Sequence, residues 1–142
     1  MMRLALAALL SLALAAPALA DDDKDRKKEP EPPKELENYI RTGEFENCVR
    51  THRIRDTDVL DDYHILFHLR GGKTYLNKLP HRCPRLGFEE AFSYRLSIPE
   101  LCNVDIITVI NRGGGPTLGP SCGLGKFELL EEKPKDGEEG AE

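Results

Sequence analysis

Four histidines, one isolated aspartate and four cysteines are the residues of this chain best equipped for chemistry. His52, His64, His68 and His81 all lie in its middle third. His64 and His68 are four residues apart, the spacing that on a helix aims two imidazoles at one metal ion. Here they flank Ile65-Leu66-Phe67. That segment reads as a strand, on which the two rings share a face about 13 Å apart. A shared metal is then not expected, and surface or edge histidines are the plainer reading. His81 precedes Cys83 by two residues, but this Cys–His pairing is proximity within a loop. Asp105 follows Cys102 by three residues and precedes an apolar run. It is a candidate carboxylate for a small metal-dependent or hydrolytic enzyme working with a histidine. A loop cap bonding backbone N–H groups is the competing role. His64, His68, His81 and Asp105 are the candidate site on these grounds.

The cysteines are Cys48, Cys83, Cys102 and Cys122. No Cys-x-x-Cys occurs, which argues against a thioredoxin-like redox motif, and no pair has zinc-finger spacing. An even set in an exported chain reads as two disulfides, with three connectivities available. The preferred one is Cys48–Cys122 with Cys83–Cys102. The first bond would join the first and last strands, and the second would tie loops on either side of Phe88–Leu96. Loop closure in the unfolded chain sets their scale at about 4.5 and about 3 kcal/mol.

Export is expected from residues 1–20. Arg3 supplies the positive start, an apolar Leu/Ala run of about 12 residues follows, Pro17 breaks it, and Ala18-Leu19-Ala20 suits a signal peptidase. A membrane-spanning helix needs about 20 apolar residues. A signal peptide cleaved after Ala20 is thus expected, with a periplasmic or secreted chain starting at Asp21 and no transmembrane segment.

The net charge of −5 belongs to the ends of the chain. Residues 45–130 hold ten acids and eleven bases, whereas residues 131–142 hold six acids and two bases. Residues 21–33 are charge-dense, proline-containing and free of apolar side chains, so a disordered linker is expected there and a disordered acidic tail over 131–142. The near-neutral middle gives no basic groove for nucleic acid. Arg50, His52, Arg53 and Arg55 nevertheless form a basic stripe. Its functional reading is an anionic ligand; its plainer reading is pairing with Asp56, Asp58, Asp61 and Asp62. No cofactor is expected, since Gly113-Gly114-Gly115 lacks both the Gly-Lys-Ser/Thr ending and the following helix of a phosphate loop.

Residues 34–130 must position all of this. Leu36, Tyr39 and Ile40 share a helical face ended by Gly43, which predicts a short N-terminal helix. From there the pattern is mostly β. Cys48–Arg55 alternates as one strand, and Asp56-Thr57-Asp58 and Asp61-Asp62 read as turns. His64–Leu69 and Lys73–Asn77 form a hairpin about Gly71-Gly72. Leu79–Leu86 is a loop, and Phe88–Leu96 is read as strand from Ala91. Asp105–Asn111 is a strand rich in β-branched residues, Arg112–Ser121 a Gly-rich loop, and Cys122–Leu130 the last strand. The fold class is mostly β: one small antiparallel sheet of five to six strands curled toward a barrel, with a short helix and two disulfides.

Several ordered pieces together resemble a known family. They are Cys48–Arg55 (CVRTHRIR), Val59–Asp62 (VLDD), Tyr75–Leu79 (YLNKL), Cys83–Leu86 (CPRL), Leu101-Cys102 with Asp105, and Cys122 with Leu124 and Phe127. The chain resembles, over about residues 45–130, the secreted bacterial family catalogued as domain of unknown function 6491. The resemblance implies an exported bacterial protein and carries no catalytic or binding residue over.

The leading expectation is a non-catalytic binding or accessory module of the cell envelope, with an envelope protein or an anionic ligand as partner. The small enzyme built on Asp105 is the second. The third is a secreted enzyme inhibitor presenting the Gly-rich Arg112–Ser121 loop.

Overall fold

The structure is a computed structural model describing residues 31–134. The expected signal peptide, most of the charged linker and most of the acidic tail lie outside these residues. What the described chain builds is mostly β, in ten strands distributed over three antiparallel sheets.

The largest sheet has five strands in the order β1-β10-β5-β4-β3. They are β1 (Tyr39–Glu46), β3 (Ile54–Val59), β4 (His64–Leu69), β5 (Thr74–Lys78) and β10 (Phe127–Glu132). The β4–β5 hairpin expected from the sequence is present. Its turn spans Arg70–Gly72, where Gly71 and Gly72 hold φ values of 97° and 84° that other residues rarely adopt. Two smaller sheets complete the fold. β2 (Cys48–Arg50) pairs with β7 (Glu100–Cys102), and β6 (Phe92–Tyr94) with β8 (Ile106–Asn111), which in turn pairs with β9 (Thr117–Gly123).

The two faces of the five-stranded sheet bury different clusters. Ile65, Phe67, Leu69, Tyr75 and Phe127 point to one face. There they meet Val49 and Leu101 of the β2–β7 ribbon, Ile107 and Val109 of β8, and Leu86 of a one-turn helix α1 (Leu86–Glu89). Phe67 packs edge-on against both Phe92 and Phe127. The opposite face carries Leu66, Leu76 and Leu130 under Leu36, with Tyr39 and Leu60 at the margin. Buried Asn77 closes the seam between β5 and β10: its amide donates to Gly125 O at 2.7 Å and accepts from Gly125 N at 2.9 Å. A Cβ on Gly125 would sit 2.0 Å from Lys78 O, so only glycine admits this approach.

Several expectations are corrected. The single sheet curled toward a barrel is instead three sheets, none closed. The expected Cys48–Arg55 strand is interrupted by a 3₁₀ turn at Thr51–Arg53, where Thr51 bonds Pro99 O through its N–H and its hydroxyl; Asp56–Asp58, expected as a turn, then lie inside β3.

The N-terminal helix is not formed. Lys34–Asn38 make a 3₁₀ turn and the chain then enters β1. A helix of one or two turns is marginal alone, and pairing with β10 outweighs it. Gly43, at φ 75°, relieves a bulge in β1 instead of capping a helix. Thr42 Oγ1 fills the broken ladder by donating to Leu129 O at 2.8 Å.

The disulfides are Cys48–Cys102 and Cys83–Cys122. The preferred pairing assumed that Cys48 and Cys122 mark the first and last strands. The first and last strands do pair, as β1 and β10, but Cys48 lies in the β2–β7 ribbon and Cys122 in β9.

Finally, β10 runs to Glu132, so Glu131 and Glu132 of the expected tail pair with Ile40 and Tyr39.

Candidate functional site

Among the described residues, His64, His68, His81 and Asp105 form no group of three with metal-ligand proximity. His64 is buried, and its Nδ1 lies 2.9 Å from Asp61 Oδ2, while Asp61 Oδ1 also accepts the N–H groups of Tyr63 and His64. The Asp61–His64 pair therefore pins the entry of β4. His68 bridges Asp58 at 2.9 Å and the Thr74 hydroxyl at 3.0 Å, stitching β3, β4 and β5 together. His81 is exposed in the loop after β5. Asp105 accepts Cys102 N–H at 2.6 Å, the loop-capping role, and its own N–H returns to Cys102 O at 3.0 Å. Among the described residues, the trio Cys48, Glu100 and Cys102 has metal-ligand proximity. Its two sulfurs are bonded to each other and are not thiolates.

Ionised groups elsewhere serve the framework. Glu89, on α1, is buried and accepts Arg112 N–H at 2.8 Å as well as the Arg85 guanidinium. These bonds hold its carboxyl below the usual carboxylate range. They lock α1 to the end of β8. Tyr75 is buried and donates to Glu46 Oε1 at 2.7 Å. Burial, and then that hydrogen bond, push the phenol up to about 12. Tyr39 is also raised, by burial and then by Glu132 and Asp58.

The surface most out of keeping with a satisfied framework is the outward side of the three-stranded sheet. Along β8, Ile107 and Val109 are fully buried while Ile106 is 59% exposed. Val104 and Leu118, at 82% and 73%, stand beside it. Ser93, Tyr94, Arg95, Asp105 and Thr108 complete the lining of an open groove of about 570 Å³. Thr108 and Ser121 share a hydrogen bond of 2.9 Å across this face, which holds the strands in register without covering the apolar side chains. Asp105 lines the groove, and no histidine does.

The expected Gly-rich loop proves to be the tip of the β8–β9 hairpin. Its turn lies before Thr117, with Gly114 and Gly115 at positive φ, and Leu118 follows on the exposed side. Sequence reasoning missed Val104, Ile106 and Leu118 as surface features. One signal was available: DIITVIN has apolar residues on both parities of a strand, which means either burial on both faces or one apolar face left open.

Fold and surface together define a small, disulfide-stapled, mostly β protein with an apolar groove on one sheet face. The chain belongs to a family of unknown function, DUF6491, which matches over residues 1–135. No curated protein and no solved structure gives a significant match.

Proposed function

We propose that this is an exported, non-catalytic binding module of the cell envelope, and that it grips a partner protein with the outward face of the three-stranded sheet. One observation carries the reading: Val104, Ile106 and Leu118 are exposed together around a single groove. Scattered exposed apolar residues are ordinary, whereas contiguous ones framed by polar groups mark contact surfaces. Thr108, Ser93 and Arg95 supply that polar frame. Three of the four residues expected to do chemistry support it too: His64 is held by Asp61, His68 by Asp58, and Asp105 caps the turn at Cys102. Export is supported by the pattern of residues 1–20 and by two disulfides with no free cysteine. No helix among the described residues is long and apolar enough to cross a membrane.

The test is a photo-crosslinking amino acid placed at Leu118 in the producing cell. A discrete adduct is expected, and Ile106→Glu should abolish it. An adduct indifferent to Ile106→Glu, or none from Leu118 while a probe at exposed Arg41 gives one, would move the contact elsewhere. Mass spectrometry of the exported chain should find Asp21 as its first residue.

A further inference from the structure

The cationic side chains divide into two groups. Arg41 pairs with Glu128, Arg50 with Glu100, Arg82 with Asp62 and Arg85 with Glu89. Arg53, Arg55, Arg70, Arg95 and Arg112 make no ion pair among the described residues, and the first three lie at one end of the five-stranded sheet. Ile54 faces Leu69 where β3 meets β4, and Arg70 N donates to Arg53 O at 2.8 Å. Arg53 and Arg70 are therefore neighbours across the end of one ladder. Arg53 lays its guanidinium along the turn, with Nη2 3.8 Å from the point a Cβ of Gly71 would occupy. Arg55 is the extra residue of the irregularity between Ile54 and Asp56. All three are exposed.

The acids that sequence proximity offers these arginines are used elsewhere. Asp58 bonds His68, Asp61 bonds His64, Asp62 bonds Arg82, and the Asp56 carboxylate accepts Thr57 N–H. The pairing of Arg53 and Arg55 with these aspartates, the plainer expectation from the sequence, is thus not made. Tyr75 feels the charges of Glu46 and Glu44 in one direction and that of Arg53 in the other, and Glu46 accepts its hydroxyl. Like charges at neighbouring positions of a ladder repel unless an anion lies between them. A guanidinium also presents a planar fork that grips two oxygens of a phosphate at once, which a lysine does not provide. Gly71 and Gly72 place no side chain over the turn, and the space beside Gly72 is open.

We propose that Arg53, Arg55 and Arg70 form a binding site for a phosphate group. The site lies on a different sheet from the apolar groove, so it stands or falls independently of the partner-protein reading. A phosphate can reach it as the free ion or on an anionic lipid headgroup, and the experiment separates the two.

The oxidised exported protein, with its arginine Nε–H resonances assigned, is titrated with inorganic phosphate against sodium chloride of equal ionic strength. Saturable shifts are expected at Arg53, Arg55 and Arg70 and not at the paired Arg41 and Arg85. The double variant Arg53→Ala/Arg70→Ala should weaken binding at least tenfold, and Lys126→Ala, at an exposed cation outside both sites, should leave it unchanged. Arg53→Lys/Arg70→Lys, which keeps the charge, serves as a second variant if the alanine pair disturbs the amide spectrum; it too should weaken binding by losing the fork. In the second arm, flotation with phosphatidylglycerol vesicles is compared with phosphatidylcholine vesicles. Retention by the first alone, lost in the double variant, assigns the lipid headgroup; phosphate shifts without retention assign the free ion. Shifts no larger than those with chloride, or a double variant that titrates like the parent, overturn the proposal.

Discussion

The five-stranded and three-stranded sheets use similar residues to different ends. In the five-stranded sheet both faces find cover: Phe67 and Phe127 face the main core, and Leu66 and Leu76 lie beneath Leu36. In the three-stranded sheet only one face does. Ile107 and Val109 enter the main core, while Ile106 and Leu118 meet nothing that covers them. The difference teaches that apolar residues on an alternate parity of a strand are not evidence of a second core. What decides is whether another segment crosses that face, as Leu36 does for one sheet and no described segment does for the other.

The comparison can be broken first at the staple between the sheets. Cys83, in the loop after β5, is bonded to Cys122 in β9. Replacing both with serine should cost about 4 kcal/mol by the loop-entropy scale. Denaturant unfolding should show this loss. A large change in slope with the loss would mean that the three-stranded sheet separates on its own.

Next comes the buried side of β8. Ile107→Ala should cost about 2–5 kcal/mol, since the site is enclosed and cannot refill. A loss well under 1 kcal/mol in the same unfolding measurement would show the main core tolerating a cavity there.

A smaller, pH-dependent effect belongs to Glu89. Its carboxyl is depressed in the folded state, so its contribution is present above the ordinary value of 4.5 and lost as pH falls through the folded value. Glu89→Gln should therefore lower the melting temperature at neutral pH, and the gap from the parent should narrow as pH falls below 4.5. A gap constant from pH 7 to 3 would mean that the Arg112 contact contributes through shape alone.

The smallest effect is expected on the open face. Ile106→Ala, one residue from Ile107, should change stability by no more than about 0.5 kcal/mol. Stability that drops by several times that amount would show that the groove is closed in solution.

Much of the fold was legible from local pattern. The β4–β5 hairpin follows from two apolar runs about a Gly-Gly pair, and β8 from its β-branched run. The short helix misled because Leu36, Tyr39 and Ile40 fit a helical face and an extended one about equally over so few residues. The candidate site was legible only as a set of residue types. The capping role of Asp105 could be named as an alternative, because turn chemistry acts over three residues. The partner of His68 could not be ranked, because Asp58 reaches it only across a ladder.

The sequence by itself determined the mostly β character, the presence of two disulfides' worth of cysteine, and the confinement of net charge to the ends, since alternation, composition and charge are local or additive. Only the tertiary structure decided which cysteines pair, which arginines lack an acid, and which side of β8 stays open. Those outcomes depend on which strands become neighbours. Strand pairing is a contest among distant segments, settled by how much apolar surface each arrangement buries, and no local window of sequence contains both contestants.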